Sequence, residues 1–244
     1  MRFVFVLVFF GACAIPVAQV SDEAPFMLVQ NIDVIAVDAS MPTDLLVVDS
    51  GDDGFVVLDG MGQRLLLYDG GNNIGEVRGD SDWGTPVRMA RRKGGGFWLT
   101  DPGDGEQPGM VIGVGEEGSV EERLTLSLPE GKEWESVFAP VSVRQVGDEL
   151  VLSDRNAGVL WMDSSSGQML RSLDSDVDDF PLALVVDLVI DGSNLLAVDT
   201  LGPKVHRLDG AGSPDSWFGN FGLWLGYMQK PRSVAVTAEH NRLV

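Results

Sequence analysis

Acidic side chains recur at regular places in this chain, and they are its first candidates for chemistry. Asp49, Asp101, Asp154 and Asp199 each end a short apolar run, at intervals of 52, 53 and 45 residues. A ring of carboxylates could bind a metal ion, but an Asp directly before a turn also accepts the N–H groups of that turn. Because an active site needs different residues that converge, the repetition favours the structural role. The same role is expected where the next turn of each unit opens, at Asp59, Asp163 and Asp209.

Two acidic segments have the oxygen ligands that calcium prefers. They are Asp52-Asp53 and the alternating run Asp174-x-Asp176-x-Asp178-Asp179. The second segment lacks the Gly expected at the sixth position of a calcium loop and the Glu expected at the twelfth. A solvated acidic loop is therefore the favoured interpretation. We expect no cofactor, with bound calcium as the alternative.

Other catalytic signals are weak. His206 falls in a predicted strand and His240 in a turn, and a zinc site needs at least a third ligand. The chain has no Gly-x-Ser-x-Gly elbow. Gly94-Gly95-Gly96 lacks the Lys-Ser/Thr of a phosphate loop and predicts a hairpin turn instead.

The elements that must position these residues form a repeat. Each unit has an apolar run that ends in Asp, a Gly-containing turn, a second apolar run and a turn that closes on Gly. In the third unit the two runs are 150–154 and 159–162. A Pro followed by an apolar run precedes three units and occurs once more near the C-terminus, at Pro86, Pro140, Pro181 and Pro231. Four short strands per unit of about 40–50 residues is typical of a β-propeller blade.

The same repeat pattern predicts four strands in the first blade. We expect 32–37 as its first strand, 45–49 as its second, 55–58 as its third and 64–68 as its fourth. The fourth strands of the next two blades are predicted at 122–126 and 169–173. The sequence therefore predicts an all-β chain.

One segment of the sequence resembles a known repeat family. Phe218-Gly219-Asn220-Phe221-Gly222, followed by 230–236 and a run toward Val-x-Asp, resembles the NHL repeat. The resemblance covers roughly residues 31–244 and is weakest in the second blade, where Gly115-Glu116-Glu117-Gly118 replaces the usual Asp-x-x-Gly. It implies a propeller of about six four-stranded blades. About four blades and part of a fifth are present, so we expect 21–244 to be a propeller that is incomplete at its C-terminus.

The N-terminus predicts export. Met1-Arg2 precedes the apolar run 3–10 and then small residues, so 1–20 reads as a secretory signal peptide, too short for a membrane span. Cleavage after Ala14 and cleavage after Ala18 both stay open. Cys13 is the only cysteine, and the residues before it resemble a lipoprotein signal. We expect a secreted or periplasmic bacterial protein, with an outer-membrane lipoprotein anchored at Cys13 as the alternative.

The charge excludes some partners. With 17 basic and 37 acidic residues, the net charge is −20 at pH 7. Such a chain repels nucleic acids and anionic membrane surfaces. The expected partner is a protein, a peptide or a carbohydrate.

Propeller topology suggests where a partner binds. The starts of the inner strands and the turns between second and third strands share one face, which we call the mouth face. We expect Asp52, Asp53, Arg88, Arg155 and Arg232 there. Guanidinium groups bind carboxylates in a planar, bidentate way, so this face is a candidate anion site. An ordinary charged rim is the competing interpretation.

Aromatic side chains between the blades leave a second question open. Trp83, Trp134, Trp217 and Trp224 fall in connections between blades, where they either fill gaps or contact a ligand. The sequence favours a non-catalytic binding scaffold. It leaves open a propeller enzyme, a metal-assisted lyase or lactonase, with its site at the central channel.

Overall fold

The computed structural model of the chain describes residues 41–47, 54–69, 72–79, 83–130, 137–173, 182–219, 221, 228–236 and 242–243. Every regular element in this part of the chain is a β-strand. None of these residues forms a helix long and apolar enough to cross a membrane.

Sixteen of the strands form four sheets of four strands each. The first sheet contains β1 (Pro42–Val47), β2 (Phe55–Asp59), β3 (Arg64–Asp69) and β4 (Asn72–Arg78). The second contains β5 (Arg88–Arg91), β6 (Phe97–Asp101), β7 (Met110–Val114) and β8 (Val120–Leu124). The third contains β9 (Pro140–Val146), β10 (Glu149–Asp154), β11 (Gly158–Asp163) and β12 (Met169–Leu173). The fourth contains β13 (Val185–Asp191), β14 (Asn194–Asp199), β15 (Lys204–Leu208) and β16 (Pro214–Phe218).

Each sheet is an antiparallel meander in which sequential strands pair. A further pair, β17 (Ala235–Val236) and β18 (Arg242–Leu243), begins a fifth unit. The first strands β1, β5, β9, β13 and β17 contact one another in chain order. The sheets are therefore the blades of a β-propeller, and these first strands line its channel. This confirms the predicted fold class.

Apolar clusters fill the spaces between blades. Leu58, Met89 and Ile112 lie between blades 1 and 2, while Trp98 and Leu150 lie between blades 2 and 3. The strands β2 and β6 are buried at every position because both of their faces pack against neighbours. Full burial of one such side chain stabilises the folded state by about 1.5–3 kcal/mol relative to leaving it exposed.

The strand assignment of the first blade was wrong by one strand. Its first strand is β1, which begins at Pro42, and the Asp that ends its second strand is Asp59 rather than Asp49. The segment 32–37, predicted as the first strand, lies outside the described residues. Asp59 Oδ1 accepts the N–H groups of Met41 (2.7 Å) and Gly62 (3.2 Å), as the equivalent Asp does in the other blades. An apolar run ending in Asp occurs twice within ten residues here, so the local pattern alone could not select the right one.

This shift has consequences for the outer strands. Strand β3 is the third strand of its blade, and the fourth is β4, which the sequence did not predict. Strand β4 is mostly exposed and polar, so it carries little apolar signal. Strand β12 matches its prediction, and β8 begins two residues before the predicted 122–126.

The described tryptophans mostly serve packing. Trp98 and Trp161 are buried between blades, as expected from their strand positions. Trp83 is fully buried with its ring against Gly79, which confirms the gap-filling interpretation for this residue. Trp217 lies on the fourth strand β16 and not in a connection between blades, so its predicted placement was wrong. It is 47% exposed, and the Lys204 ammonium lies 4.0 Å from its ring centre. Trp134 and Trp224 lie outside the described residues.

Candidate functional site

The repeated Asp residues hold turns together. Asp154 Oδ2 accepts the Ala139 N–H (2.6 Å) and its Oδ1 accepts the Asn156 N–H (2.8 Å). Asp101 contacts Thr85 N and Gly103 N in the same way. Each carboxylate thus joins its own turn to the segment that leads into the first strand of its blade. The structural role predicted for Asp101 and Asp154 is confirmed, and Asp49 lies outside the described residues.

Asp199 repeats the pattern and adds a histidine. It accepts the N–H groups of Ala183 and Leu184, which precede the first strand of its blade, and that of Gly202 in its own turn. Its Oδ2 lies 3.7 Å from His206 Nε2. Burial raises the pKa of Asp199, but the His206 side chain and the backbone donors outweigh burial and hold it well below its usual range. His206 is buried on a third strand, two strands away from the channel.

The Asp residues of the next turn act locally. Asp163 Oδ1 accepts the N–H and hydroxyl groups of Ser165 and Ser166. These hydroxyl and N–H donors lower the pKa of Asp163 to about 2. Asp209 closes its turn through the N–H groups of Ala211 and Ser213. The expected turn-closing role is confirmed for both residues.

The channel wall carries a second repeated contact. Asp44 Oδ2 accepts the Met89 N–H (2.8 Å). Ser142 Oγ accepts the Leu188 N–H (3.2 Å). In each case a polar side chain on one first strand binds the backbone of the next first strand, 45 or 46 residues further along the chain.

Asp187 forms more of these contacts than Asp44 or Ser142 does. Its Oδ2 accepts the Val234 N–H (3.3 Å) and the Ser233 hydroxyl, which belong to the fifth unit. Its Oδ1 accepts the Ser142 hydroxyl (3.3 Å) and pairs with the Arg144 guanidinium (3.3 Å), both in blade 3. One buried carboxylate therefore connects three consecutive units around the channel.

Arg88 departs from this pattern in blade 2. It begins the first strand β5, and its guanidinium cannot accept a hydrogen bond. It donates instead to Asp44 Oδ1 (3.3 Å), to the Thr43 carbonyl (3.3 Å) and to the Arg232 carbonyl (3.0 Å). The side chains of Arg88 and Arg144 are 18% and 21% exposed, so both are partly accessible to the solvent.

The channel charges influence one another. Burial raises the pKa of Asp44, and the nearby Asp187 carboxylate raises it further. The Arg88 and Arg144 guanidiniums oppose this rise. Two carboxylates and two guanidiniums therefore share one polar cluster at the channel.

The predicted site residues separate into two groups. Arg88 and Arg232 meet through a side chain and a carbonyl at the channel. Arg155 lies in the turn after β10, in a pocket between blades 2 and 3. Asp52 and Asp53 lie outside the described residues, between β1 and β2. These are the first and second strands of their blade, whereas the prediction took them as second and third.

The pocket has a volume of about 310 Å³. Its lining residues are Pro102, Gly105, Val137, Ala139, Arg155 and Asn156. The Arg155 N–H donates to the Ala139 carbonyl (3.0 Å). Asn156 Nδ2 donates to the Val137 carbonyl (2.7 Å), which fixes the orientation of its amide. The long turn between β6 and β7 forms the opposite wall.

The sequence reasoning missed most of the channel cluster. Asp44, Ser142, Arg144 and Asp187 were not singled out. A signal was present, since Ser142 and Asp187 interrupt apolar runs that otherwise predict buried strands. A polar residue inside a buried strand requires a partner, and here the partner lies in the neighbouring blade.

No metal centre is seen in the part of the chain that the structure describes. Among those residues, no group of three or more His, Cys, Asp or Glu side chains lies close enough together to hold an ion. The candidate calcium segments at 52–53 and 174–179, and His240, lie outside it.

Comparison with known proteins supports the architecture. No protein-family profile matches the sequence, and no curated protein does. A solved structure described as a streptogramin B lyase structure is similar, with a TM-score of 0.52 and 10% sequence identity. The match covers 74% of this chain and 55% of that one, so the chain spans just over half the length of that protein. This likeness shows the β-propeller fold.

Proposed function

We propose that this chain is an exported, NHL-like β-propeller that acts as a non-catalytic scaffold and binds a protein, peptide or carbohydrate on its mouth face. The N-terminal residues 1–20 serve as its signal peptide, and the protein works outside the cytoplasm without a cofactor. Binding of a partner on the mouth face of a propeller requires no reactive side chain.

One observation carries the proposal. Three departures of the blades from their repeat lie at the start of a first strand or in the turns between second and third strands. Arg88 takes the position where other first strands carry a hydrogen-bond acceptor. The turn 102–109 is longer than its counterparts 155–157 and 200–203. Arg155 stands beside that long turn. Repeated residues serve the fold, so unrepeated ones on one face are the better candidates for recognition.

The channel carboxylates support a scaffold rather than a reactive centre. Asp187 accepts hydrogen bonds from the units on both sides of its own blade, and Asp44 binds both the backbone and the guanidinium of blade 2. A carboxylate that accepts hydrogen bonds from neighbouring strands connects those strands, which is a structural role. The same contacts keep the channel wall rigid, which is useful for a binding surface.

An enzyme remains the second candidate, and two observations favour it. The similar solved structure is described as a lyase. In addition, burial raises the pKa of Asp44, which lies on a first strand at the channel, and a raised pKa suits a proton-transfer group. In this alternative the chain is a metal-assisted lyase or lactonase. Stoichiometric zinc or calcium that survives dialysis of the purified protein would support it and count against the scaffold.

The scaffold is tested by finding a ligand and mapping where it binds. We would screen the purified protein against peptide and glycan arrays. We would then repeat each positive with Arg155→Ala on the mouth face and with Lys93→Ala in the β5–β6 turn on the opposite face. We expect the first substitution to weaken binding and the second to leave it unchanged. Positives that depend on Lys93 alone, or the absence of any positive, would contradict the proposal.

A further inference from the structure

We infer that the pocket between blades 2 and 3 binds a carboxylate group, with Arg155 as the residue that recognises it. The inference rests on the proposed function and names the chemistry of the ligand at one point of the mouth face. The carboxylate belongs either to an acidic side chain of a peptide or to a peptide C-terminus, and the experiment separates these two sources.

The first argument is that the Arg155 guanidinium has no close partner. Burial raises the pKa of Asp154, and the Arg155 charge opposes this rise without forming an ion pair with the carboxylate. The Arg155 backbone N–H closes the turn onto Ala139, but its guanidinium makes no hydrogen bond or ion pair with any described residue. In the same part of the chain, Arg64, Arg88, Arg92, Arg144 and Arg171 all pair with carboxylates. An exposed guanidinium on a protein of net charge −20 that is left without such a partner is available to a ligand.

The second argument comes from the equivalent position in blade 4. Thr200 follows Asp199 as Arg155 follows Asp154, and the N–H of each donates to the segment before the first strand. The Thr200 hydroxyl is used within the fold, because it donates to the Pro231 carbonyl. In blade 3 this position carries a long cationic side chain instead, so the fold itself does not require the charge there.

The third argument is the shape and lining of the pocket. A volume of about 310 Å³ lies at the small end of ligand sites, which fits one short side chain or one chain terminus rather than a folded ligand. Pro102, Val137 and Ala139 offer apolar walls for a short aliphatic stem. Asn156 also lines the pocket, and its Nδ2 is already oriented by the Val137 carbonyl.

Charge selects the class of anion. A guanidinium and a carboxylate form two parallel hydrogen bonds in one plane. A phosphate dianion would meet stronger repulsion from this acidic protein, including the Asp154 carboxylate next in sequence. A singly charged planar carboxylate is therefore the favoured ligand group.

The test follows the Arg155 side chain directly. We would record the ¹⁵Nε–H signals of arginine in the full chain and titrate three blocked compounds. Acetyl-Glu-amide carries a side-chain carboxylate, acetyl-Gly-Gln with a free C-terminus carries a terminal one, and acetyl-Gln-amide carries neither. We expect a saturable shift of the Arg155 signal with at least one carboxylate compound, and about tenfold weaker binding of acetyl-Gln-amide because a charge-assisted pair is lost.

Substitutions supply the controls. Arg155→Gln should abolish the saturable binding, and Arg155→Lys should weaken it because the planar fork is lost while the charge stays. Arg78→Gln, at an exposed arginine of β4, is the matched control and should leave binding unchanged.

Each result has a definite meaning. Equal shifts with all three compounds, or no shift of Arg155, would overturn the inference. If array ligands still map to the mouth face in that case, only the ligand class is wrong and the proposed function stands. If Arg155 binds carboxylates while every array ligand maps to the opposite face, the pocket stands and the proposed function fails.

Discussion

A single carboxylate at the end of each second strand joins two stretches of backbone that are distant in sequence. Asp154 connects its own turn to Ala139, which lies 15 residues earlier. The Ala139 N–H is buried in the folded chain and the Asn156 N–H is partly buried, so the first of them in particular needs an acceptor there. The repeated Asp is thus a structural residue, and its replacement should lower the free energy of unfolding.

Replacing Asp154 with Ala should lower the free energy of unfolding by about 2 kcal/mol, because the buried Ala139 N–H and the partly buried Asn156 N–H both lose their acceptor. Denaturant unfolding monitored by tryptophan fluorescence measures this. Asp154→Asn is the matched control, since it keeps an acceptor oxygen and should cost less. Unchanged stability of the Ala variant together with lost ligand binding would reverse the assignment of Asp154 from structure to function.

The pKa of Asp163 is a second prediction at this scale. It should titrate at about 2 in the folded protein, because the donors of Ser165 and Ser166 favour the ionised carboxylate. A folded pKa below the unfolded value stabilises the protein above pH 4, and this contribution is lost as the pH falls through about 2.

Carboxyl-detected NMR titration measures this value. Ser166→Ala should raise the pKa of Asp163 toward 3.8, the ordinary value for Asp. Ser164→Ala removes a neighbouring hydroxyl that makes no hydrogen bond to Asp163, and it should have no effect. A pKa near 3.8 in the unsubstituted protein would show that the turn does not hold the carboxylate as described.

At the scale of elements, the first strands are joined to one another by side chain to backbone contacts. Strands β1, β9 and β13 each contribute one acceptor that binds the next first strand. Neighbouring first strands form no common sheet. These contacts therefore supply the polar connection between blades, while the apolar clusters supply most of the burial.

Asp187→Ala should lower the free energy of unfolding by about 3 kcal/mol, because it leaves Arg144 and several buried donors without their partner. Asp215→Ala is the control. Its carboxylate is 54% exposed and lies 3.6 Å from Arg207, so its loss should cost less than about 1 kcal/mol. Similar effects of the two substitutions would mean that the channel contacts do not hold the blades together.

The hairpin between β5 and β6 gives a second prediction for an element. Gly96 has φ of +75°, and a Cβ there would meet the Val114 carbonyl, so Gly96→Ala should destabilise the protein by about 2 kcal/mol or more. Gly94 also has positive φ, at +94°, but open space around it. Gly94→Ala should therefore cost only about 1 kcal/mol. Equal melting temperatures of the two variants would contradict this account of the turn.

At the scale of the whole molecule, charge opposes folding. The net charge of −20 at pH 7 makes the compact chain repel itself, and added salt screens this repulsion. Raising the salt from about 0.05 M to about 0.5 M should therefore raise the melting temperature by several degrees.

The matched measurement is the same salt series near pH 4.2, the isoelectric point of the sequence, where the net charge is close to zero. The salt effect should largely disappear there. An equal rise at both pH values would mean that salt acts by another route, such as stronger apolar burial.

The sequence by itself determined the blade type, the turn-closing Asp residues and the buried tryptophans of the strands. The physical reason is that these features depend on nearest neighbours. A strand pattern, a Gly turn and an Asp beside the N–H donors of its own turn lie within about ten residues of one another. Asp154 and Trp98 were therefore predicted correctly, and so was the four-stranded unit.

Only the tertiary structure decided which strand begins the first blade, which arginines meet and where a pocket opens. The choice between Asp49 and Asp59 depends on the hydrogen bond from the Met41 N–H to Asp59, which lies 18 residues further along the chain. The contact between the Arg88 side chain and the Arg232 carbonyl joins residues 144 positions apart. The carboxylate pocket depends on two adjacent blades. Contacts of this range follow from how blades pack around an axis, and no local spacing encodes that geometry.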